Sequence, residues 1–219
     1  MISELLPSAP MRSVHFPIAG PAILIHRADQ PSALARRIFD VVFALLLLVA
    51  SAPLVALAVL AIVLEDGLPA FFVQRRIGRY GRPFDIIKLR TMKQAHCGSE
   101  YKPASNDDSR ITRVGRILRT TSIDELPQLI NVLRGDMSVV GPRPEMPFIV
   151  KRYERWQHLR HLVRPGLTCI WQAQHRSLAL DHPSATLLDL KYIRSASPAL
   201  DAALLWRTIP ALLRRTGAL

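Results

Sequence analysis

TTSIDELPQLINVLRGDMSVVGPRPE, residues 120–145, is the stretch from which we predict the fold and the site. It places two adjacent carboxylates, Asp124 and Glu125, at the start of a predicted short helix. Further along, the turn GPRP at 141–144 has a proline on each side of Arg143, and each proline fixes its own φ angle. Neighbouring helical residues point roughly 100° apart, so both carboxylates can face one site. The stretch therefore combines paired acids with an arginine in a rigid turn.

The helix that follows the pair is predicted over residues 124–133 and ends at Gly135, a common C-terminal stop. Pro127 must lie in its first turn, because proline deeper in a helix breaks a backbone hydrogen bond. With Asp124 as the N-cap, Pro127 falls at the third helical position. With Ser122 as the N-cap, a capping box forms with the acid three residues later, but a helical bond is lost at the proline. We favour the first start.

The residues alone leave two interpretations of the pair open. A carboxylate can attack phosphorus as a nucleophile, and it can hold Mg²⁺, which prefers oxygen ligands and substrate phosphates. A helix N-terminus would add donors for a bound phosphate. The simpler alternative is that Asp124 and Glu125 only cap a helix. Arg143 either binds phosphate or pyrophosphate with its guanidinium fork, or it is an exposed arginine on a connector.

The composition points to a polyanionic partner. Lysine and arginine number 29 against 17 acids, which gives a net charge of +12 in 219 residues. That charge suits nucleic acid, anionic lipid or a phosphorylated substrate. No zinc-finger or RNP-like motif supports nucleic acid, and no P-loop or nucleophile elbow occurs. Cys97 and Cys169 lack metal-ligand spacing and fit a reducing compartment.

Residues 41–64 carry no charge and are long enough for a helix to cross a bilayer, which takes about 20 residues. Arg36 and Arg37 precede this run and further arginines follow it, so the positive-inside tendency would keep both ends in the cytoplasm. Pro53 lies within the run, where it disturbs a helix. Two interpretations remain open: a helix broken at Pro53 that turns back to the same side, and a proline-kinked span.

The remaining elements are short and predict a mostly α fold with small β elements, an α+β class. The predicted elements are strands at 71–74 and 84–89 and helices at 111–121, at 146–163 and from 197 onward. Arg116 and Arg119 share a face of the first of these helices. The last two helices are amphipathic and would face either the core or lipid headgroups. Glu154, His158 and His161 share a predicted helical face, which raises the hypothesis of a metal site.

The motifs together resemble those of the bacterial sugar transferases, the monotopic polyprenyl-phosphate phosphoglycosyl transferases. The resemblance covers about residues 36–218, and its most specific part is TSIDELPQL followed by GDMSVVGPRP. The other matching blocks are RIFD 37–40, FFVQR 71–75, KLRTM 88–92, DSRITRVG 108–115, RPGLTCIWQ 164–172 and GA 217–218. The chain looks like the minimal catalytic form of the family.

The resemblance implies an activity and roles for the pair. Members transfer a phosphosugar from a UDP-sugar to undecaprenyl phosphate, which begins exopolysaccharide, capsule or O-antigen assembly. Asp124 would attack the β-phosphate, form a covalent phosphosugar intermediate and hold Mg²⁺. Glu125 would assist the acceptor phosphate or the metal. Four basic residues match family residues near the phosphates: Lys88, Arg119, Arg143 and Arg176.

The chain is predicted to have three parts: a loosely ordered, proline-rich N-terminal extension at 1–35, then a membrane helix-hairpin at 36–66 and a cytosolic transferase domain at 67–219. The resemblance implies that the hairpin is re-entrant. The expected location is the bacterial inner membrane, with the catalytic domain on the cytoplasmic face. The expected partners are a UDP-sugar, undecaprenyl phosphate and membrane lipid, without nucleic acid. The competing hypothesis from another class is a basic membrane scaffold that recruits glycan-assembly enzymes without turnover.

Three departures from the family pattern limit what the resemblance gives. Ala52, where members have serine, precedes Pro53, and Cys169 and His175 stand where members often have glycine. The last two fall near the expected nucleotide or sugar pocket, so the sugar and its pathway stay open. The oligomeric state, a homodimer included, stays open too.

Overall fold

The computed structural model describes residues 33–96, 108–170 and 182–213. Helices make up most of this part of the chain, and its strands form two small two-stranded sheets. The predicted fold class, mostly α with small β elements, is therefore confirmed. Most of the predicted extension at 1–35 lies outside the described residues, as do Arg176 and His175.

The helices and strands follow one another in short units after one long helix. In chain order they are α1 Ala33–Asp66, β1 Phe71–Ile77, β2 Pro83–Leu89, α2 Arg113–Thr121, α3 Gln128–Arg134, β3 Ser138–Val140, α4 Pro147–Val150, β4 Gly166–Thr168, α5 His182–Ser195 and α6 Pro198–Leu213. Short 3-10 segments lie at Arg79–Gly81, Gln94–His96, Ile123–Glu125 and Arg155–Leu162.

Helix α1 contains the whole apolar run and is long and apolar enough to cross a membrane, by length and composition. Pro53 lies inside it, and the helix continues on both sides. The predicted break into two helices is thus not observed, because a proline removes only one helical donor and a long apolar helix can absorb that loss. The Ser51 hydroxyl donates to the Leu48 carbonyl over 3.3 Å, just before the proline. Re-entry into the membrane stays a prediction.

The first turns of α1 are bonded to the folded domain. Asp40 is 2% exposed and accepts hydrogen bonds of 2.9 Å from the Ser138 hydroxyl and from the backbone N–H of Val139. Arg37 donates to the carbonyls of Val132 and Leu133, each at 2.6 Å. These carbonyls lie at the end of α3, where backbone acceptors lack helical partners. The start of α1 therefore holds α3 and β3 in place.

The other end of α1 is bonded to the same domain. The Glu65 carboxylate accepts from the backbone N–H groups of Arg113 and Val114 at 2.8 and 2.9 Å, so it caps the start of α2. Arg90 donates to the carbonyls of Asp66 and Gly67. Between these ends, large apolar side chains of α1 remain exposed: Leu34, Ile38, Phe39, Val42, Leu45, Leu46, Val49, Leu54, Leu57, Leu60 and Leu64.

Two hydrophobic clusters hold these elements together. The larger is centred on α3 and β3, where Leu129, Val132 and Met137 are fully buried, and each such side chain contributes about 1.5–3 kcal/mol. Ala44 of α1 also belongs to it. The smaller cluster packs the second half of α1, α2 and the segment between α2 and α3. The apolar helix thus packs against both clusters while its other face stays bare.

The β1–β2 hairpin agrees with the two predicted strands and extends each of them. The strands are antiparallel, with Phe71 opposite Leu89. Asn131 of α3 is fully buried; its side chain accepts from the Ile87 N–H at 3.1 Å and donates to the Asp85 carbonyl at 2.8 Å. This one amide fixes the helix after the carboxylate pair to the middle of β2.

Several predicted boundaries are corrected. Helix α3 begins at Gln128 after Pro127, and Asp124 lies in a 3-10 turn before it. The favoured start, with Asp124 as the N-cap, is therefore wrong, because the proline itself takes the N-cap position. Gly135 ends the helix with φ of 91°, as predicted.

The predicted helix at 146–163 is also wrong as a single element. It divides into α4 and a 3-10 segment that begins with a capping box between Glu154 and Gln157. The 3-10 segment buries His158, Arg160 and His161, polar side chains that a helix with one apolar face would leave at its edge. By contrast, α6 starts as predicted, with the Leu200 N–H donating to the Ser197 hydroxyl at 3.2 Å.

The short parallel pair β3–β4 was not predicted, and it fixes the start of the GPRP turn. Ser138 pairs with Gly166 and Val140 with Thr168. A Cβ on Gly166 would lie 2.0 Å from the backbone nitrogen of Gly141, so only glycine permits this approach. The arginine turn is therefore packed directly against the strand that follows Pro165.

We expect Asp40→Ala to lower the free energy of unfolding by about 2–4 kcal/mol, because the Ser138 hydroxyl and the Val139 N–H would both lose a buried acceptor. Asp40→Asn keeps one oxygen acceptor and should cost about half as much. The measurement is thermal unfolding in detergent, followed by circular dichroism. An unchanged midpoint for Asp40→Ala would show that this carboxylate does not anchor α1.

Candidate functional site

The carboxylate pair lies on a tight turn between α2 and α3. Ser122 ends α2 in the left-handed region, with φ of 56°, so the chain changes direction between α2 and the pair. Ile123 then packs into the smaller cluster against α1. The backbone N–H of Glu125 donates to the Ser122 carbonyl at 3.1 Å. This geometry buries Asp124, which is 9% exposed.

Glu125 joins three separate segments of the chain. Its Oε1 accepts from Lys88 Nζ of β2 at 2.7 Å and from Arg143 Nη2 of the GPRP turn at 3.0 Å. All three side chains are less than 20% exposed. The structure thus brings together three residues that the sequence predicted as one site. Both basic groups bond to Glu125, the second acid of the pair.

The two acids differ in their electrostatics. Burial raises the pKa of Asp124 to about 6, with Lys88 opposing and Glu125 reinforcing that shift. Burial also acts to raise the pKa of Glu125, but the charges and hydrogen bonds of Lys88 and Arg143 outweigh it and hold that pKa well below its usual range. The pKa of Arg143 is raised, because Glu125 outweighs the effect of burial. Glu125 therefore stays ionised between its two cationic partners. The ionised form of Asp124, by contrast, is disfavoured by burial.

Arg119 lies on α2, within electrostatic range of both acids. Burial lowers the pKa of Arg119, and the charges of Asp124 and Glu125 act against that shift. The predicted role of Arg119 at the phosphates stays a prediction. Arg176, the fourth predicted basic residue, lies outside the described residues.

Sequence reasoning missed Arg76, which lies beside the GPRP turn. Arg76 is 7% exposed and donates to the Pro144 carbonyl at 3.4 Å. Its pKa is lowered to about 10, by burial first and then by repulsion from Arg143. Strand alternation could have indicated that Arg76 points inward, because β1 buries Arg76 and leaves Arg75 in an exposed pair with Asp85.

A metal site built only from protein is not present in the described part of the chain, where no group of three or more His, Cys, Asp or Glu side chains could hold an ion. The metal hypothesis for Glu154, His158 and His161 is therefore wrong. Both imidazoles pack against Tyr153, and burial lowers the pKa of His161 to about 3. These histidines belong to the core.

Comparison with known proteins identifies the family. The family model described as bacterial sugar transferase matches residues 31–215. The chain belongs to the bacterial sugar transferase family. A Caulobacter vibrioides protein named UDP-glucose:undecaprenyl-phosphate glucose-1-phosphate transferase is 46% identical over 84% of this chain and 72% of its own length. The family predicted from the motifs is thus confirmed, and with it the class of enzyme, a sugar transferase.

Two further relatives show how the family varies in length. The undecaprenyl-phosphate galactose phosphotransferase of Salmonella typhimurium is 35% identical over 87% of this chain, which spans 43% of that protein. The exopolysaccharide production protein ExoY of Sinorhizobium fredii is 35% identical over 84% of this chain and 88% of its own length. The shared region therefore corresponds to part of some relatives and most of others.

Asp124→Asn should stabilise the fold near neutral pH. The pKa of Asp124 is raised from 3.8 to about 6, so its contribution to stability is full below about pH 4 and is lost as pH rises through 6. Asparagine stays neutral, so the variant should gain up to about 3 kcal/mol over the parent transferase at pH 8, at about 1.36 kcal/mol per pKa unit, and nothing below about pH 4.

Urea unfolding in Mg²⁺-free buffer from pH 4 to 8 measures this difference. Asp85→Asn is the matched control, because Asp85 is half-exposed in its pair with Arg75 and surface pairs contribute little. Destabilisation of Asp124→Asn at pH 8 would mean that favourable bonds hold the carboxylate ionised.

Proposed function

We propose that this transferase moves a phosphosugar from a UDP-sugar to undecaprenyl phosphate through a covalent intermediate on Asp124. The proposal rests on the different surroundings of the two acids. Lys88 and Arg143 bond to Glu125, while burial raises the pKa of Asp124. A desolvated carboxylate of raised pKa is a better nucleophile than a solvated one. The names of the relatives support the donor and the acceptor.

The chemistry balances in two displacements at one phosphorus atom. An Asp124 carboxylate oxygen attacks the β-phosphorus, and the bond from that phosphorus to the bridging oxygen breaks, so UMP leaves with the electron pair. A phosphate oxygen of the lipid acceptor then attacks the same phosphorus and breaks its bond to Asp124. The product is a lipid diphosphate sugar, and the carboxylate is restored.

The basic side chains around the pair are suited to the diphosphate. Lys88, Arg119 and Arg143 come from three elements and surround the two acids, where charge-assisted hydrogen bonds would stabilise the phosphate oxygens. Glu125 keeps Lys88 and Arg143 in place before substrate arrives. Arg76 adds a buried positive charge beside Arg143.

The carboxylates of the pair are suited to a magnesium ion that binds together with the substrate. Mg²⁺ is commonly held by one or two carboxylates together with substrate phosphates, and the buried carboxylate of Asp124 is the suitable protein ligand. Glu125 is less suitable, because Lys88 and Arg143 already bond to its Oε1. When bound, the ion would offset charge on the diphosphate.

We also place this chain on the cytoplasmic face of the inner membrane, with α1 re-entrant. Both ends of α1 bond to one folded domain, through Asp40 at the start and Glu65 at the end. A helix that crossed the bilayer would separate its ends by about 30 Å of hydrocarbon, so one domain on one side of the membrane could not bind both ends. Trp206 on α6 is 76% exposed and suits the headgroup region. This arrangement would hold Asp124 at the depth of the acceptor phosphate.

Incubation with β-³²P-labelled UDP-glucose and Mg²⁺, without lipid acceptor, should release one UMP per active site and label the protein. UDP-galactose and UDP-N-acetylgalactosamine, the other sugars suggested by relatives, are tested in parallel. Asp124→Asn should abolish the label, because the nucleophile is lost. Asp85→Asn, an exposed acid on β2, should keep it. A labelled Asp124→Asn protein would remove Asp124 as the nucleophile, and absence of label with every sugar would favour the scaffold hypothesis.

Single cysteines at Ala35, in the first turn of α1, and at Leu68, just after its last residue, test the topology. Both should react with a membrane-impermeant maleimide only from the cytoplasmic side, because a re-entrant helix returns to the face it entered. The parent transferase, with its native cysteines, gives the background. Labelling of either position from the periplasmic side would establish a full span.

A further inference from the structure

The GPRP turn is held by its carbonyl groups. Its two prolines have no N–H, so the turn depends on donors from elsewhere. The carbonyls of four consecutive residues accept hydrogen bonds from three different segments of the chain. These are Pro142 from the Gly166 N–H at 2.9 Å, Arg143 from Arg160 Nη2 at 2.7 Å, Pro144 from Arg76 Nη1 at 3.4 Å, and Glu145 from the Ile77 N–H at 2.9 Å.

Arg160 is the donor that reaches the backbone of Arg143 itself. Its side chain is 2% exposed, and its Nη2 lies 2.6 Å from Oδ2 of Asp189, which is 1% exposed. Its Nη1 donates to the Tyr153 hydroxyl and lies 3.9 Å from Oε1 of Glu145. A single guanidinium fork therefore connects the 3-10 segment, helix α5 and the turn.

Arg160 holds the backbone of Arg143, from which the Arg143 side chain extends into the site. Arg160 bonds to the carbonyl of Arg143, whereas the guanidinium of Arg143 bonds to Glu125. The position of that guanidinium depends on where its own backbone is fixed. A buried guanidinium remains well oriented only while it is paired, and the acids beside Arg160 are Asp189 at 2.6 Å and Glu145 at 3.9 Å.

We propose that Arg160, held by Asp189, is a positioning residue that places Arg143 for the donor diphosphate. The inference rests on the proposed function, because it assigns the Arg143 guanidinium to the phosphates. Lysine at position 160 would keep the charge but lose the fork that reaches two acceptors at once. The loss should therefore act on diphosphate binding through Arg143.

A double-mutant cycle tests the coupling. The dissociation constant of UDP, with Mg²⁺ present, is measured calorimetrically for the parent, Arg160→Lys, Arg143→Ala and the double variant. Arg160→Lys alone should weaken binding about tenfold, the size expected for a misplaced charge-assisted hydrogen bond. In the Arg143→Ala background the same change should weaken binding less than about twofold. Equal effects in the two backgrounds would overturn the proposal.

Arg90→Lys is the matched control for lost stability. Arg90 is also 2% exposed, donates to backbone carbonyls and pairs with an acid at 3.2 Å, but it holds the end of α1 rather than the turn. It should lower the unfolding midpoint as Arg160→Lys does and leave UDP binding unchanged. Equal weakening of binding by both variants would indicate only general destabilisation.

Asp189→Asn gives a milder second variant, because it leaves Arg160 in place, removes the charge of the acid beside it and replaces one carboxylate oxygen by an amide NH2. It should weaken UDP binding in the parent and have no further effect in Arg143→Ala. A parent that binds UDP but releases no UMP from any UDP-sugar would contradict the proposed function alone. A functional parent with an additive cycle would contradict the positioning role alone.

Discussion

The arrangement of the site depends on the ion pairs that Glu125 makes with Lys88 and Arg143. These bonds join a strand, a turn between two helices and the GPRP turn at a single carboxylate oxygen. Buried ion pairs contribute little net stability, since desolvation opposes their attraction, but loss of one partner leaves a costly buried charge. Their main effect here is geometric. They fix two cations beside Asp124 before any substrate binds.

Helix α1 packs against the core with one face and leaves an apolar face exposed, which would contact lipid. Ala44 and Ala58 are buried in the two hydrophobic clusters, and the small side chains let the domain approach closely. The leucines of the opposite face remain exposed. Ile123, which precedes Asp124, packs in the same cluster as Ala58. The depth of the helix in lipid would therefore fix the height of Asp124.

Local signals in the sequence predicted what local physics determines. The β1–β2 hairpin, the end of α2 at Thr121 and the end of α3 at Gly135 follow from alternation and from backbone preferences, and the structure agrees. The helix expected at 146–163 failed because Arg160 and its neighbours are buried by contacts with α5, far away in the chain. Arg76 was readable from strand alternation. The bond from Arg160 to the Arg143 carbonyl was not, because no local pattern encodes it.

The distribution of charge around the acid pair would favour a bound diphosphate, as the proposed function requires. Arg76 and Arg143 repel each other, and Asp124 is desolvated beside a second anion. Each feature raises the energy of the unliganded protein. A bound diphosphate would supply negative charge to the two guanidiniums, and its counter-ion would offset the charge on Asp124. Because both unfavourable features are relieved by the same event, binding energy would be available to align the nucleophile with phosphorus.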